Sequence, residues 1–255
     1  MSNKVSSNPK YSMHQIRPDD RDFSFLKKNT LKTIFLHSGM MTIEIYINSK
    51  VNLIKLSENE GVNIMPNIDF AVVSNNSHSF SVQSIDNKNP IIEIVDGVDS
   101  RTEEEINNYK LIKNAKKVTK PWGYEIWIAW FKNHHVLKKI YMLEGNKCSL
   151  QYHQQKSETN FIVEGQANVL KDIKIENGIS ESDALKYFND IPNIENYITA
   201  MRPGDYWDNN PYEIHRVFSV ESYTAYEAST HQLDDVIRLK DDSNRVSGFI
   251  KSEHY

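Results

Sequence analysis

Residues 144 to 165 read EGNKCSLQYHQQKSETNFIVEG and hold three side chains suited to a metal ion. Gly145 is followed by five residues, then Gln151-Tyr152-His153, four residues, Glu158, six residues and Gly165. On a strand, residues two apart point to the same side, so Gln151 and His153 aim at one point. A turn then brings Glu158 on the returning strand opposite them. The segment GDYWDNNPYEIHRVFS places His215 eleven residues after Gly204 and adds a fourth ligand from another strand. A neutral amide, two neutral imidazoles and one carboxylate leave a divalent ion with a net charge of about +1. Such a set suits zinc first, then iron, manganese, cobalt or nickel, rather than calcium.

These ligands need a rigid frame, and the chain is long enough to build one. With 255 residues it holds either one large β-fold or two barrel-sized units. Charged residues are 25% and the net charge is −4, which does not point to a polyanionic partner such as nucleic acid. The first residues, MSNKVSSNPKYSMHQ, lack an apolar run, and no stretch approaches the roughly 20 apolar residues of a membrane span. The expectation is a soluble, cytoplasmic protein. Cys148 is the single cysteine, so internal disulfides and thiolate clusters are excluded and metal chemistry falls to nitrogen and oxygen.

Residues 1–29 lack an apolar period and read as an arm or surface strap. From Lys32 onward short β-branched and aromatic runs follow one another. In MTIEIYI, Met41, Ile43, Ile45 and Ile47 share one face, opposite Thr42, Glu44 and Tyr46. Turn residues at 57–61, 74–77 and 86–90 separate these runs. A helix is expected from Asp99–Thr102, with Thr102 and Glu105 as a capping box and Ile106, Tyr109 and Ile112 on one face. Strands return after Lys120. The polar stretch between Leu170 and Tyr197 predicts a short helix near Ser182–Tyr187 and is long enough to shape the mouth of a site. The expected organisation is an arm (1–29), a degenerate β-domain (30–99), a helical linker (100–117) and a metal-binding domain (118–255). His37 and His78 stand isolated in the first half, which is read as a metal-free packing or dimerisation unit. A homodimer is therefore the assembly to look for. His134 and His135 are read as solvated turn residues. His231 is read as a pocket-mouth or surface residue.

The two metal segments resemble the motifs of the cupin superfamily. Its first motif runs Gly, five residues, His-x-His, three or four residues, Glu, six residues, Gly; its second carries a histidine eleven residues after its first Gly. Here Gln151 replaces the first histidine, and Asn210 and Tyr212 occupy the usual Pro and second Gly of motif two. The set Gln-x-His, Glu, His is similar to that of the phosphomannose isomerases. Lys120-Pro-Trp-Gly-Tyr124, Ser149-Leu-Gln-x-His153 and Leu233-Asp-Asp-Val-Ile-Arg-Leu-Lys-Asp-Asp-Ser-Asn-Arg245 extend the resemblance to the type II isomerase domain, which also occurs fused to mannose-1-phosphate guanylyltransferases. The likeness covers residues 118 to 246, with Ser243-Asn244 in place of that family's Tyr-Gly.

The resemblance implies an all-β bicupin of jelly-roll, double-stranded β-helix form, degenerate in its N-terminal half and metal-binding in its C-terminal barrel. It implies a metal-dependent aldose–ketose isomerase acting on a sugar phosphate. Such chemistry moves a proton between adjacent carbons and needs a base, for which Lys156, Glu213 and Glu227 are candidates. A phosphate needs cationic anchors. Arg216 follows a ligand and points away, which favours Arg238 and Arg245, the latter also a catalytic candidate. Trp122 is the tryptophan expected at the substrate; Trp127, Trp130 and Trp207 are read as packing. A sugar-binding or regulatory bicupin without catalysis, and a cupin oxygenase or lyase, are the alternatives.

Overall fold

A computed structural model describes residues 3–4, 11–16, 30–73, 91–96 and 108–251. The chain divides into two compact units, Met1–Ala115 with Ile128–Leu137, and Lys116–Trp127 with Lys138–Tyr255.

The first unit contains β1 (Asn3–Lys4), β2 (Tyr11–Ile16), β3 (Lys32–Leu36), β4 (Met40–Ile47), β5 (Lys50–Ser57), β6 (Gly61–Ile64), β7 (Asp69–Val73), β8 (Ile91–Asp96) and β9 (Tyr109–Ile112). They form a six-stranded sheet, β1-β2-β8-β3-β6-β9, and a three-stranded sheet, β5-β4-β7. Alternation on β4 works as its pattern demands: Met41, Ile43 and Ile45 are buried with Ile34, Leu36, Ile54, Leu56, Val62 and Ile64 in one apolar cluster. The turn at 57–61 closes β5 onto β6, with Asn59 at φ 61° and Ser57 N donating to Glu60 Oε2 at 2.8 Å. The turns expected at 74–77 and 86–90 lie outside the described residues.

Three expectations need correction here. Residues 11–16 of the supposed arm form a strand paired with β8, with Tyr11 and Met13 fully buried. The alternation of these two apolar residues is short, which hid it in a polar context. The start of the linking helix lies outside the described residues, but Tyr109 and Ile112 belong to β9, paired with β6. A sheet edge with open hydrogen bonds outweighed their helical spacing. His134 and His135 are buried, not solvated. His135 Nε2 lies 2.8 Å from Thr33 Oγ1, which in turn donates to Asn63 Oδ1 at 2.8 Å.

The second unit contains β10 (Lys116–Lys120), the larger parts of β11 (Gly123–Trp130) and β12 (Val136–Met142), whose adjoining ends belong to the first unit, β13 (Leu150–Tyr152), β14 (Glu158–Glu164), β15 (Ala167–Lys174), α1 (Glu181–Asn189), β16 (Ile198–Met201), β17 (Tyr206–Asn209), β18 (Glu213–Ser219), β19 (Tyr223–Ser229) and β20 (Ile237–Lys240). Two sheets result, β10-β11-β12-β19-β14-β17 and β16-β15-β18-β13-β20, with antiparallel pairings. Helix α1 is capped by Ser180, whose Oγ accepts from Asp183 N at 3.1 Å. Its segment does not reach the site. Ala184, Leu185, Phe188, Ile191 and Ile194 pack instead with Leu150, Tyr152, Leu170 and Ile214, the outward residues of the second sheet.

Pro121-Trp122 makes the two-residue turn between β10 and β11, with Lys120 opposite Gly123. Gly123 has φ 150°, and a Cβ there would stand 2.1 Å from the Tyr141 carbonyl oxygen. The glycine of this motif is thus required by backbone approach. Gly123→Ala is expected to destabilise the protein by about 2–4 kcal/mol through forced backbone displacement. Chemical denaturation of the variant at unchanged m-value checks this. A midpoint equal to the wild type would remove the close-approach argument.

Candidate metal centre

The pairing of β13 with β18 sets Gln151 opposite His215, and the pairing of β13 with β20 sets Gln151 opposite Arg238. Partners on neighbouring antiparallel strands face the same side, so this rung aims three functional side chains inward. On the facing sheet, Glu158 at the start of β14 stands between Asn209 of β17 and Ser229 of β19. The next inward rung is Trp207, Asn160 and Glu227. Among the described residues, His153, Glu158 and His215 form a buried group whose ligand atoms lie within 4.8 Å of one another.

Hydrogen bonding prepares both imidazoles for a cation. His153 Nδ1 bonds the Asp235 carbonyl oxygen, and His215 Nδ1 lies 3.0 Å from the Glu213 carbonyl oxygen. A carbonyl can only accept, so each ring carries its proton on Nδ1 and turns the Nε2 lone pair inward. His153 Nε2 is buried without a hydrogen-bond partner; Glu158 Oε2, at 3.6 Å, is beyond hydrogen-bond reach. His215 Nε2 lies 3.5 Å from Glu158 Oε1. An inward lone pair beside a carboxylate leaves a deficit that a divalent cation fills, and the donor set fits one. Gln151 is less committed: its amide nitrogen lies 3.3 Å from His215 Nε2, and its oxygen accepts from Ser149 Oγ at 2.5 Å. Ligation through Gln151 requires that amide to turn over.

The substitutions before His215 are accommodated locally. Tyr212 adopts φ 60°, the conformation a glycine takes at no cost, and its N–H donates to the His153 carbonyl at 2.7 Å. Glu213 Oε2 caps the same turn by accepting from Asn210 N at 2.8 Å. The Glu213 carboxylate is therefore engaged in the turn and is not among the residues lining the cavity.

A cavity of about 110 Å³ opens onto the centre. Besides the four expected ligands, its lining includes Trp122, Lys156, Glu227, Arg238 and Arg245 of the sequence-derived set. His231 and Arg216 are absent from it; Arg216 Nε donates to the Cys148 carbonyl at 2.8 Å and pairs with Asp242. Arg245 is held by Asp241 through Nε at 3.0 Å and Nη2 at 2.7 Å. Arg238 Nη1 donates to the Val246 carbonyl. Trp122 is buried in the apolar cluster with Ile140, Met142 and Trp207.

A run of buried charges crosses the cavity wall, and local sequence reading missed most of it. Lys156 Nζ donates to Glu158 Oε2 at 2.6 Å and to Glu227 Oε1 at 2.7 Å. Lys138 Nζ lies 3.9 Å from Glu227 Oε1 and 3.3 Å from Glu125 Oε2, and Lys120 Nζ lies 3.7 Å from Glu125 Oε1. Asn209 Nδ2 donates to Glu158 Oε1 at 2.8 Å. Burial alone would disfavour each charge, but opposite charges reverse the balance. Thus Lys156 is pushed above the ordinary ammonium range by Glu158 and Glu227. Burial would raise the Glu125 carboxyl, yet Lys138 and Lys120 hold it at about 2. Burial likewise opposes ionisation of Glu158, and Lys156 and the histidines hold it well below the usual range. Cys148 also lines the wall, with its thiol pushed up to about 11 by burial and so protonated.

Burial lowers His215 from 6.5 to about 4. The unfolded imidazole takes up a proton near 6.5 and the folded one only near 4, so the unfolded state gains protons first as pH falls. Stability of the metal-free protein should therefore fall between those values, by on the order of 3 kcal/mol from this residue. Melting curves of the metal-free protein and of His215→Gln check this, since the variant should lose that part of the slope. Identical slopes would reject a buried neutral imidazole.

No protein-family model matches the chain, and no curated protein sequence matches it significantly. Solved structures do. A Streptomyces albus HEPD with 2-hydroxyethylphosphonate and Fe(II) bound superposes with a TM-score of 0.61 at 8% identity, covering 90% of this chain and 70% of the other. A mutant of Bacillus subtilis oxalate decarboxylase gives 0.60 at 8% identity, covering 93% and 74%. The chain has a cupin fold. Protein Ylba of E. coli superposes with a TM-score of 0.58 at 11% identity, covering 90% of this chain and 82% of the other. Among the described residues, no helix is long and apolar enough to cross a membrane.

Proposed function

We propose that this cupin is a metal-dependent sugar-phosphate isomerase of the mannose-6-phosphate isomerase kind, acting in the cytoplasm on an aldose phosphate and its ketose partner. The observation that carries this reading is the position of Glu227. Glu125 and Glu158 have both carboxylate oxygens engaged, whereas the described contacts of Glu227 all fall on Oε1. Oε2 is left to the cavity, one ammonium group away from the ligand Glu158.

His153, Glu158, His215 and Gln151 would hold a divalent ion, which would supply Lewis-acid chemistry toward a substrate carbonyl. Glu227 Oε2 takes the proton from the hydroxyl-bearing carbon beside that carbonyl and returns it to the carbonyl carbon, while the hydroxyl proton passes to the former carbonyl oxygen, which converts aldose to ketose. Lys156, protonated between two carboxylates, holds Glu227 in place. Lys120, Lys138, Lys156, Arg238 and Arg245 outnumber Glu125, Glu158 and Glu227 in the lining, which favours an anionic substrate. Trp122, beside the lysines, lines the same cavity.

The test is a panel of sugar phosphates in deuterated water, followed by NMR with metal analysis of the same sample. Interconversion with deuterium entering at the carbon beside the carbonyl is the expected result. Stoichiometric metal without turnover would overturn the isomerase reading. Oxygen uptake with Fe(II) would instead favour an oxygenase; the similar HEPD structure has Fe(II) bound.

A further inference from the structure

We infer that Asp235 is a positioning residue for the metal centre, locking the loop that joins two of its ligands. The inference rests on the metal centre and not on the isomerase reading. Residues 154–157 connect His153 to Glu158 and have no regular secondary structure. Gln154 N, Gln155 N and Lys156 N all donate to the Asp235 carboxylate, at 3.2, 2.5 and 2.7 Å. Consecutive amides converging on one carboxylate form an anion-binding nest, and bonds to an ionised acceptor are the stronger kind. The same residue's backbone carbonyl bonds His153 Nδ1 and fixes the ring's tautomer. One residue thus sets the orientation of His153 and, through the loop, the start of β14 where Glu158 stands.

The arrangement is not a general property of a β-turn. Gln154 and Gln155 are exposed, and their amides are held by a residue about 80 positions away in sequence. The carboxylate gathers amides only from this loop, and its chain neighbour Val236 is buried. Asparagine at 235 would offer one acceptor oxygen and set an NH2 group against the other amides. The loop would then sample conformations in which Glu158 and His153 do not converge.

The experiment is metal affinity by competition with a chromophoric chelator, using zinc and cobalt(II), for wild type, Asp235→Asn and the exposed neighbour variant Asp234→Asn. The expected loss for Asp235→Asn is about 10- to 100-fold, the cost typical of an outer-shell partner. It comes with an altered cobalt(II) visible spectrum, a metal-free melting temperature close to wild type, and no change for Asp234→Asn. Equal affinities for wild type and Asp235→Asn would overturn the inference, as would a loss that merely tracks a lower metal-free melting temperature. A wild type that takes up no metal would overturn the centre itself. If Asp235→Asn does not fold, hydrogen exchange of the wild type decides. The Gln155 and Lys156 amides should be protected despite the exposure of Gln155, and exchange at the free-peptide rate would overturn the clamp.

Discussion

Glu158→Gln is expected to lower metal affinity by more than the roughly 100-fold that bounds the loss of an outer-shell partner. Glu158 is the sole anion in the ligand set, and its removal raises the formal charge of the occupied centre by one unit. The surroundings cannot adapt to a neutral amide. Oε2 receives the Lys156 ammonium and Oε1 receives Asn209 Nδ2, so whichever way the new amide turns, its NH2 group meets a donor. Lys156 would keep Glu227 as its remaining counter-ion at 2.7 Å, which should preserve the fold. Metal analysis after dialysis, with chelator competition, measures the effect. An affinity within threefold of wild type would mean that Glu158 does not ligate.

Glu227→Gln should show the opposite separation. Its metal content should match the wild type, while kcat for sugar-phosphate interconversion falls by about 10²- to 10⁴-fold, the usual contribution of a general base. KM should stay within a few-fold, because the amide keeps the shape of the side chain and the contact of Oε1 with Lys156. Solvent deuterium incorporation should fall with kcat, since both report the same proton transfer. A kcat within fivefold of wild type, at full metal content, would remove Glu227 as the base. Loss of metal together with activity would make it a support for Glu158 instead.

The two variants separate because the structure puts a charge relay between ligand and base. Lys156 is shared by Glu158 and Glu227, and Glu227 is shared by Lys156 and Lys138. Removing either carboxylate leaves every lysine of the run with at least one partner. Such a run fixes geometry more than it adds stability, because buried ion pairs roughly cancel their own desolvation.

Much of the centre was legible in the chain itself. Gln151, His153, Glu158 and His215 stood out as candidates from the period of two along a strand and from spacings to glycines that resemble the cupin motifs. Gly123 was legible only as a position of a resembled motif; the close approach of the Tyr141 carbonyl that excludes a Cβ there belongs to the tertiary structure. Ser149 stands two residues before Gln151 and could have been found by the same alternation. The capped helix near 182–187 followed from its own sequence, but its role did not. It covers the outer face of a sheet because Leu150, Tyr152 and Ile214 point away from the ligands next to them.

What the spacing could not provide was the company each residue keeps across strands. Glu213, Glu227 and Lys156 were equal candidates by nearness in sequence. The fold separates them by putting Glu213 in a turn cap and Glu227 on the rung of Asn160. Lys120, Glu125 and Lys138 look like ordinary strand-end charges until β10, β11, β12 and β19 lie side by side. Asp235 reads as one of several acids in a charged run until the pairing of β13 with β20 brings its carboxylate to three amides about 80 positions away in sequence. Sequence by itself marked the candidate ligands and most of the strands that carry them, since side-chain direction along a strand is a local property. Only the tertiary structure brought Glu227 to the cavity, assembled the charged wall and set Asp235 against the loop, because strand pairing over long separations is fixed by burial of the whole core and not by any one segment.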